Sequence, residues 1–343
     1  MVLWMPVRDR LRALRRFAKV NNLMAKGFVI GVLGVTLRRG LAMRLTAAGL
    51  VATALSVAPG AAEAEPTLIE QKESIYNSIY IYEDAPYVTM LFGKNRRLYT
   101  ESRVNRSDPF ELPVAYTRYM TVGMAYPDTV SRLLEIGVGG GSTISYLART
   151  YPEIEIDAVE LDGAVLAFAR EYFFVEENER VRLHEKDGRI FLRRADAGFD
   201  VIMIDAYRGP FVPFHLLTRE FYALVAEKLA PGGVVLQNVD PSTMLYESAV
   251  ATIDAVFDTV EVYEAKGNFV IVAYQGEAKS DEALHARAAE RDAAFAPRYP
   301  LADLVLDRRP ASVEEGTVLS DDFAPVEALK ATRRHNRPGF PQD

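Results

Sequence analysis

The sequence predicts an α/β fold, a Rossmann-like domain with a mostly parallel, doubly wound sheet preceded by a small N-terminal β-sheet. Three observations point to it. Residues 133–142, LLEIGVGGGS, run an apolar strand into a glycine-rich turn and then into a helix pattern. From Arg132 onward, short apolar runs alternate with amphipathic ones, as in a sheet covered by helices on both faces. Acids recur at or just after the strand candidates, at Glu160, Asp187 and Asp205.

At 343 residues, with 49% hydrophobic and 25% charged side chains, the chain has ample material for a core. Its net charge of −7 is unevenly placed. Residues 1–64 hold ten Lys/Arg against two Asp/Glu, which leaves 30 basic and 45 acidic side chains in the rest. So acidic a body repels phosphates, and no nucleic-acid partner is expected. Cysteine is absent, which excludes disulfides, thiolate catalysis and Cys-based metal sites. No metal is expected.

The basic N-terminal segment reads as an export signal. Residues 45–58 form a 14-residue apolar run behind Arg38, Arg39 and Arg44, and Ala62-Glu63-Ala64 offers small residues at signal-peptidase spacing. The run is shorter than the ~20 residues a membrane span needs. Arg38-Arg39-Gly40-Leu41 partly resembles a twin-arginine signal. Residues 1–64 are therefore expected to direct the protein to the periplasm or beyond. An uncleaved anchor is one alternative; the other is a start at Met24 or Met43, which leaves the protein cytoplasmic.

Residues 65–110 form the small β domain. Ser74 to Thr100 mixes Tyr76, Tyr80 and Tyr82 with Ile79 and Ile81, and turns are expected at Asp84-Ala85-Pro86 and Phe92-Gly93-Lys94. Residues 111–330 form the Rossmann-like domain. Its seven strand candidates are 132–136, 155–160, 182–185, 201–205, 234–238, 259–263 and 269–273. Helices are expected at 143–150, 164–173, 189–195, 219–229 and 248–257, with Pro231-Gly232-Gly233 ending the fourth of them. The last two strands are too close for a crossover and read as an antiparallel hairpin. A charged helix at 283–294 and a polar tail at 331–343 complete the chain.

Gly137, Gly139, Gly140 and Gly141 permit a tight turn and close backbone approach to a ligand. Ser142 stands where a strict dinucleotide fingerprint wants glycine, so the turn suits a sulfonium nucleoside better. Glu160, 23 residues after Gly137, can accept from ribose hydroxyls, while Asp162 reads as a helix cap. Asp187-Gly188 is either an adenine-binding acid or an ordinary Asx-Gly turn. Asp205 closes the fourth strand at the sheet edge where ligands bind, placed to hold or deprotonate an amine, with Tyr207 beside it. His215 is either structural or a site residue.

These residues resemble the spermidine synthase family of aminopropyltransferases. The resemblance covers residues 73–329 and rests on ESIYNSIYIYE, the glycine loop, VELD, Asp187-Gly188, Asp205 and the T-x-E-F-Y run at Thr218 to Tyr222. It implies a Rossmann-like S-adenosylmethionine-dependent transferase fold of seven strands, assembled as a homodimer or homotetramer. It implies decarboxylated S-adenosylmethionine as donor, an amine as small-molecule acceptor and methylthioadenosine as leaving group. Three positions depart from the family pattern, and the family's Tyr-His pair before the cofactor domain is not evident near Ala115-Tyr116. Gly140 stands where the loop usually has Asp, Arg208 where a second gate acid is usual, and Asn77 where the Y-Q segment has Gln. Asn77, Arg208 and His215 are expected on the acceptor side. DAYRGPFVPFHLLTREFY and SDDFAPVEAL are closer to a divergent branch, found alone or fused to transporter-like membrane segments. Methyl transfer from intact S-adenosylmethionine and a non-catalytic exported nucleoside binder stay open.

Overall fold

The computed structural model describes residues 65–94, 97–207, 212–240, 245–311 and 316–323. Residues 1–64, expected as an export signal, Arg208 and the tail expected at 331–343 lie outside these residues. Among the described residues no helix is long and apolar enough to cross a membrane.

Strands β1 (Thr67–Glu73), β2 (Ser78–Asp84), β3 (Tyr87–Lys94) and β4 (Arg97–Asn105) pair antiparallel in the order β1-β2-β3-β4. Alternation decides the buried face: Ile79, Ile81, Val88, Met90 and Val104 all point into one apolar cluster. Each such side chain contributes about 1.5–3 kcal/mol on burial. The turn at Asp84-Ala85-Pro86 is present. Phe92-Gly93-Lys94, expected as a turn, belongs instead to β3. Gly93 is there because a Cβ would lie 2.9 Å from the Tyr80 ring on β2. β1 escapes sequence pattern because TLIEQKE is polar and mostly exposed.

Helix α1 (Ala115–Met120) and a 3-10 turn (Thr121–Ala125) lead into the main sheet. There follow β5 (Arg132–Ile136), α2 (Ser142–Thr150), β6 (Glu155–Glu160), α3 (Gly163–Tyr172), β7 (Val181–Glu185), α4 (Gly188–Arg194) and β8 (Phe199–Ile204). A 3-10 turn (Phe214–Leu216), α5 (Arg219–Lys228), β9 (Leu229–Val239), α6 (Leu245–Asp254), β10 (Thr259–Ala265) and β11 (Asn268–Tyr274) come next. The described chain then adds α7 (Asp281–Phe295), α8 (Leu301–Leu304), a 3-10 turn (Val305–Asp307) and β12 (Arg308–Pro310).

The sheet order is β12-β10-β11-β9-β8-β5-β6-β7. β5, β6, β7, β8 and β9 run parallel, while β10 and β11 form the expected hairpin, antiparallel to β9. All seven expected strands are there, and the three-residue β12 adds an eighth at the β10 edge. Adjacent residues feed opposite layers: Leu133, Met203 and Leu236 face one cluster, and Leu134, Ile202 and Val235 the other. Burial on both faces explains the near-continuous apolar runs. From β5 the chain winds outward through β6 and β7, then returns to β8 and winds the other way. The crevice at this reversal, between the carboxyl ends of β5 and β8, is where open α/β sheets bind ligands.

Candidate active site

The glycine turn after β5 is set by main-chain geometry. Gly137 has φ +93, and a Cβ there would lie 2.3 Å from the Asp205 carbonyl oxygen. Backbone bonds fix the crossing: Gly137 N–H donates to Val159 O and Asp205 N–H to Ile136 O, both at 2.8 Å. Glu160 faces the turn, accepting from the amides of Val138 at 3.1 Å, Gly139 at 3.4 Å and Asp162 at 3.1 Å. Burial raises its pKa, and these amide bonds offset part of the rise.

Two hollows lie on either side of this turn, about 620 and 550 Å³ with their open mouths included. Glu160 and Tyr207 line both. The second hollow is walled by Asn77, Leu161, Asp187, Gly188 and His215, with Ile136 and Gly137 beneath. Asp187 caps α4 by accepting from Ile190 N–H at 2.8 Å, and its other oxygen lies 2.9 Å from His215 Nε2. That second bond, ahead of burial, holds its carboxyl below the usual range. Asp187 is thus both turn residue and cavity wall, and His215 is its partner. Asn77 donates to Asp162 Oδ2 at 3.0 Å, joining the small sheet to the α3 cap. Arg189 grips Asp321 through two bonds at 2.7 and 2.6 Å and donates to His215 O at 3.2 Å, so part of the SDDF motif braces this wall.

The first hollow is acidic. Glu101, Glu135, Glu160 and Asp205 all line it, with Tyr116 and Arg103 alongside. Asp205 Oδ1 accepts from Asn238 at 2.7 Å and Oδ2 from the Tyr116 hydroxyl at 2.9 Å. Asn238 is itself held by Asn268 at 2.9 Å, and Tyr207 donates to the Asn238 carbonyl at 3.1 Å. Burial raises the Asp205 pKa despite its two donors. Burial and then the charges of Asp205 and Glu160 push Glu101 well up. Burial and then Asp205 do the same to Glu135. Such a cluster holds protons, or it holds a cation.

Of the residues expected from sequence, all but two border these hollows, although Asn77 and His215, expected on the acceptor side, line the second hollow and not the acidic one. Arg208 lies outside the described residues. Gly140 lines neither hollow: its Cα faces away, and a Cβ would lie 2.4 Å from the buried Phe173 ring. Its amide instead donates to Ser102 Oγ at 2.7 Å. Sequence reasoning missed Glu101, Tyr116, Glu135 and Asn238. A signal existed for two of these, since Glu135 and Asn238 are polar residues at the ends of apolar runs, Leu133-Leu134 and Val234 to Leu236.

A doubly wound sheet with a glycine turn, a carboxylate facing that turn and an acidic hollow at the switch point is the site layout of a Rossmann-like transferase. The family model for the spermine/spermidine synthase domain matches residues 115–277. A polyamine aminopropyltransferase from Vibrio vulnificus is 30% identical over 281 residues, covering 78% of this chain and 92% of the relative. One from Chromobacterium violaceum is 28% identical over 201 residues, covering 57% and 77%. Two solved structures share the fold. A probable spermidine synthase from Corynebacterium glutamicum superimposes with TM-score 0.55 at 24% identity, over 64% of this chain and 86% of that one. A spermidine synthase in complex with the transition-state analogue AdoDATO gives 0.56 at 22% identity, over 70% and 82%. The chain belongs to the spermidine synthase family.

Proposed function

We propose that this protein transfers an aminopropyl group from decarboxylated S-adenosylmethionine to the nitrogen of an amine. The observation that carries the reading is the pair of hollows joined at Glu160, one suited to a nucleoside and the other lined by carboxylates. The adenosyl part belongs beside Asp187, His215 and Glu160, and the aminopropyl arm beside Asp205. The acceptor nitrogen attacks the arm's carbon next to sulfur. Its lone pair forms the C–N bond, the C–S pair returns to sulfur, and neutral methylthioadenosine leaves. Asp205, fixed by Asn238 and Tyr116, positions the amine and takes up the proton that nitrogen sheds. Because the sulfonium is already activated, positioning supplies much of the rate. Kinship with polyamine aminopropyltransferases supports the same reading.

The test is incubation of the purified protein with the decarboxylated donor and a panel of mono-, di- and polyamines, followed by chromatography. Methylthioadenosine and an aminopropylated amine are expected in equal amounts. Absence of both with every amine sinks the proposal.

One observation favours a second reading, methyl transfer from intact S-adenosylmethionine. Arg103 lines the acidic hollow, and its Nε is buried without a hydrogen-bond partner, so a donor carboxylate could bind there. S-adenosylhomocysteine as the product identifies that outcome.

We also propose that residues 1–64 export the protein and that it works as a homodimer or homotetramer. Detection of only full-length protein in the cytoplasm would refute the first, and a monomer mass by light scattering the second.

A further inference from the structure

Two polar atoms at opposite ends of the glycine turn have no partner. Glu135, in the last part of β5, is 2% exposed, and its Oε2 is buried without a hydrogen bond. Ser142, the first residue of α2, has its Oγ buried in the same condition. Both residues line the acidic hollow, with Gly139 and Gly141 of the turn between them in sequence. A buried carboxylate oxygen left unmatched is costly, because neither water nor a donor replaces the bonds it lost. A strand buried on both faces gains nothing from glutamate that leucine would not supply. The residue therefore points to a ligand.

The chemistry of that ligand follows from the atoms. Glu135 offers a carboxyl oxygen that a bound cation would hold in its charged form, Ser142 offers a neutral hydroxyl, and Asp205 adds a second carboxyl to the same hollow. Arg103, the cation on strand β4, lies 3.7 Å from Asp84 and stacks 4.1 Å over the Tyr87 ring, so its charge already has partners outside the acidic cluster. A primary ammonium carries one charge and three N–H donors on a compact tip, and so answers both orphan atoms. The glycine turn itself brings no carboxylate, since Gly140 faces Phe173.

We propose that Glu135, assisted by Ser142, seats the terminal ammonium of the donor's aminopropyl arm, which leaves Asp205 and Glu101 to the acceptor amine. This rests on the aminopropyl-transfer reading. It makes Glu135 the residue that distinguishes a donor bearing a free amine from its nucleoside product.

The experiment is calorimetric titration of the purified full chain with decarboxylated S-adenosylmethionine and, separately, with methylthioadenosine, which lacks the amine-bearing arm. Wild type should bind the donor more tightly than the product. Glu135→Gln, close in size and without the charge, should weaken donor binding by about 10–100-fold, the range of a hydrogen bond to a charged group. It should leave methylthioadenosine within about twofold. Ser142→Ala, a smaller change on an independent element, should weaken the donor by about 2–10-fold and spare the product. Unchanged donor affinity in both variants overturns the seat, as does an equal loss for donor and product. If those results come with turnover intact in wild type, aminopropyl transfer stands and only the seat falls. If wild type binds neither compound, the functional reading fails and the seat with it.

Discussion

The carboxyl of Asp205 and the side-chain amide of Asn238 meet at 2.7 Å across the ends of β8 and β9. Asn268 fixes that amide from β11, so three adjacent strands set the direction of one acid. Asn238→Leu keeps the strand and removes the donor. It is expected to lower kcat by about 10–100-fold and leave donor binding unchanged. Asp205→Asn should lower kcat by about 10²–10⁴-fold. Initial rates set beside donor titrations check both, and unchanged turnover in Asp205→Asn removes it from the mechanism.

Asp187 does two jobs that substitution separates. Asp187→Ala removes the α4 cap and should cost about 0.5–2 kcal/mol of stability, together with nucleoside affinity. His215→Ala leaves the cap and should cost affinity alone. Thermal unfolding combined with methylthioadenosine titration distinguishes the two, and equal destabilisation contradicts the assignment.

Gly140→Asp restores an acid to the loop in sequence but not in space. The new side chain starts against Phe173, so the expected result is a loss of about 1–3 kcal/mol from overpacking. Donor affinity should not improve. A gain in affinity at unchanged stability would show that the loop can turn its Cα toward the hollow.

The buried acids give stability a pH dependence of predictable sign. Glu101, Glu135, Glu160 and Asp205 have raised pKa values, so their contribution is complete below the ordinary carboxylate range, about pH 4, and is lost as pH rises through the folded values. Asp187, with its pKa lowered, runs the other way: its contribution is present above that range and is lost as pH falls. Glu135→Gln deletes one raised group. It should melt above wild type near pH 8, by about 2–4 °C for each kcal/mol relieved, with the gap closing toward pH 5. A gap independent of pH contradicts this.

Where the sequence was readable, strand ends were the reason. Glu160, Asp187 and Asp205 each follow an apolar run, and the order of runs places them on one sheet edge. Tyr116 was hidden because its helix has six residues, too few to show a period. Glu101 was hidden because it belongs to the other sheet, and no local pattern reports which strands of two sheets will face each other. Glu135 and Asn238 sat in plain view, yet the apolar strands around them made them look like part of a core. Gly140 misled for the opposite reason: its place in a motif suggested a ligand contact, and a side chain there would run into Phe173.

Ser102, Asn77 and Ser74 reach across from the small sheet, to the Gly140 amide at 2.7 Å and to Asp162 at 3.0 and 2.5 Å. The cavity is thus a mould cast in two halves, and the half made first by the ribosome carries Glu101. A protein shortened to the Rossmann-like portion could keep its sheet order, its glycine turn and its motif yet present an open trough to solvent. Variation in which amine is accepted can therefore arise in a segment that holds none of the nucleoside-binding signature. Two relatives alike in every motif of the Rossmann-like domain can differ in substrate because of one strand that precedes that domain.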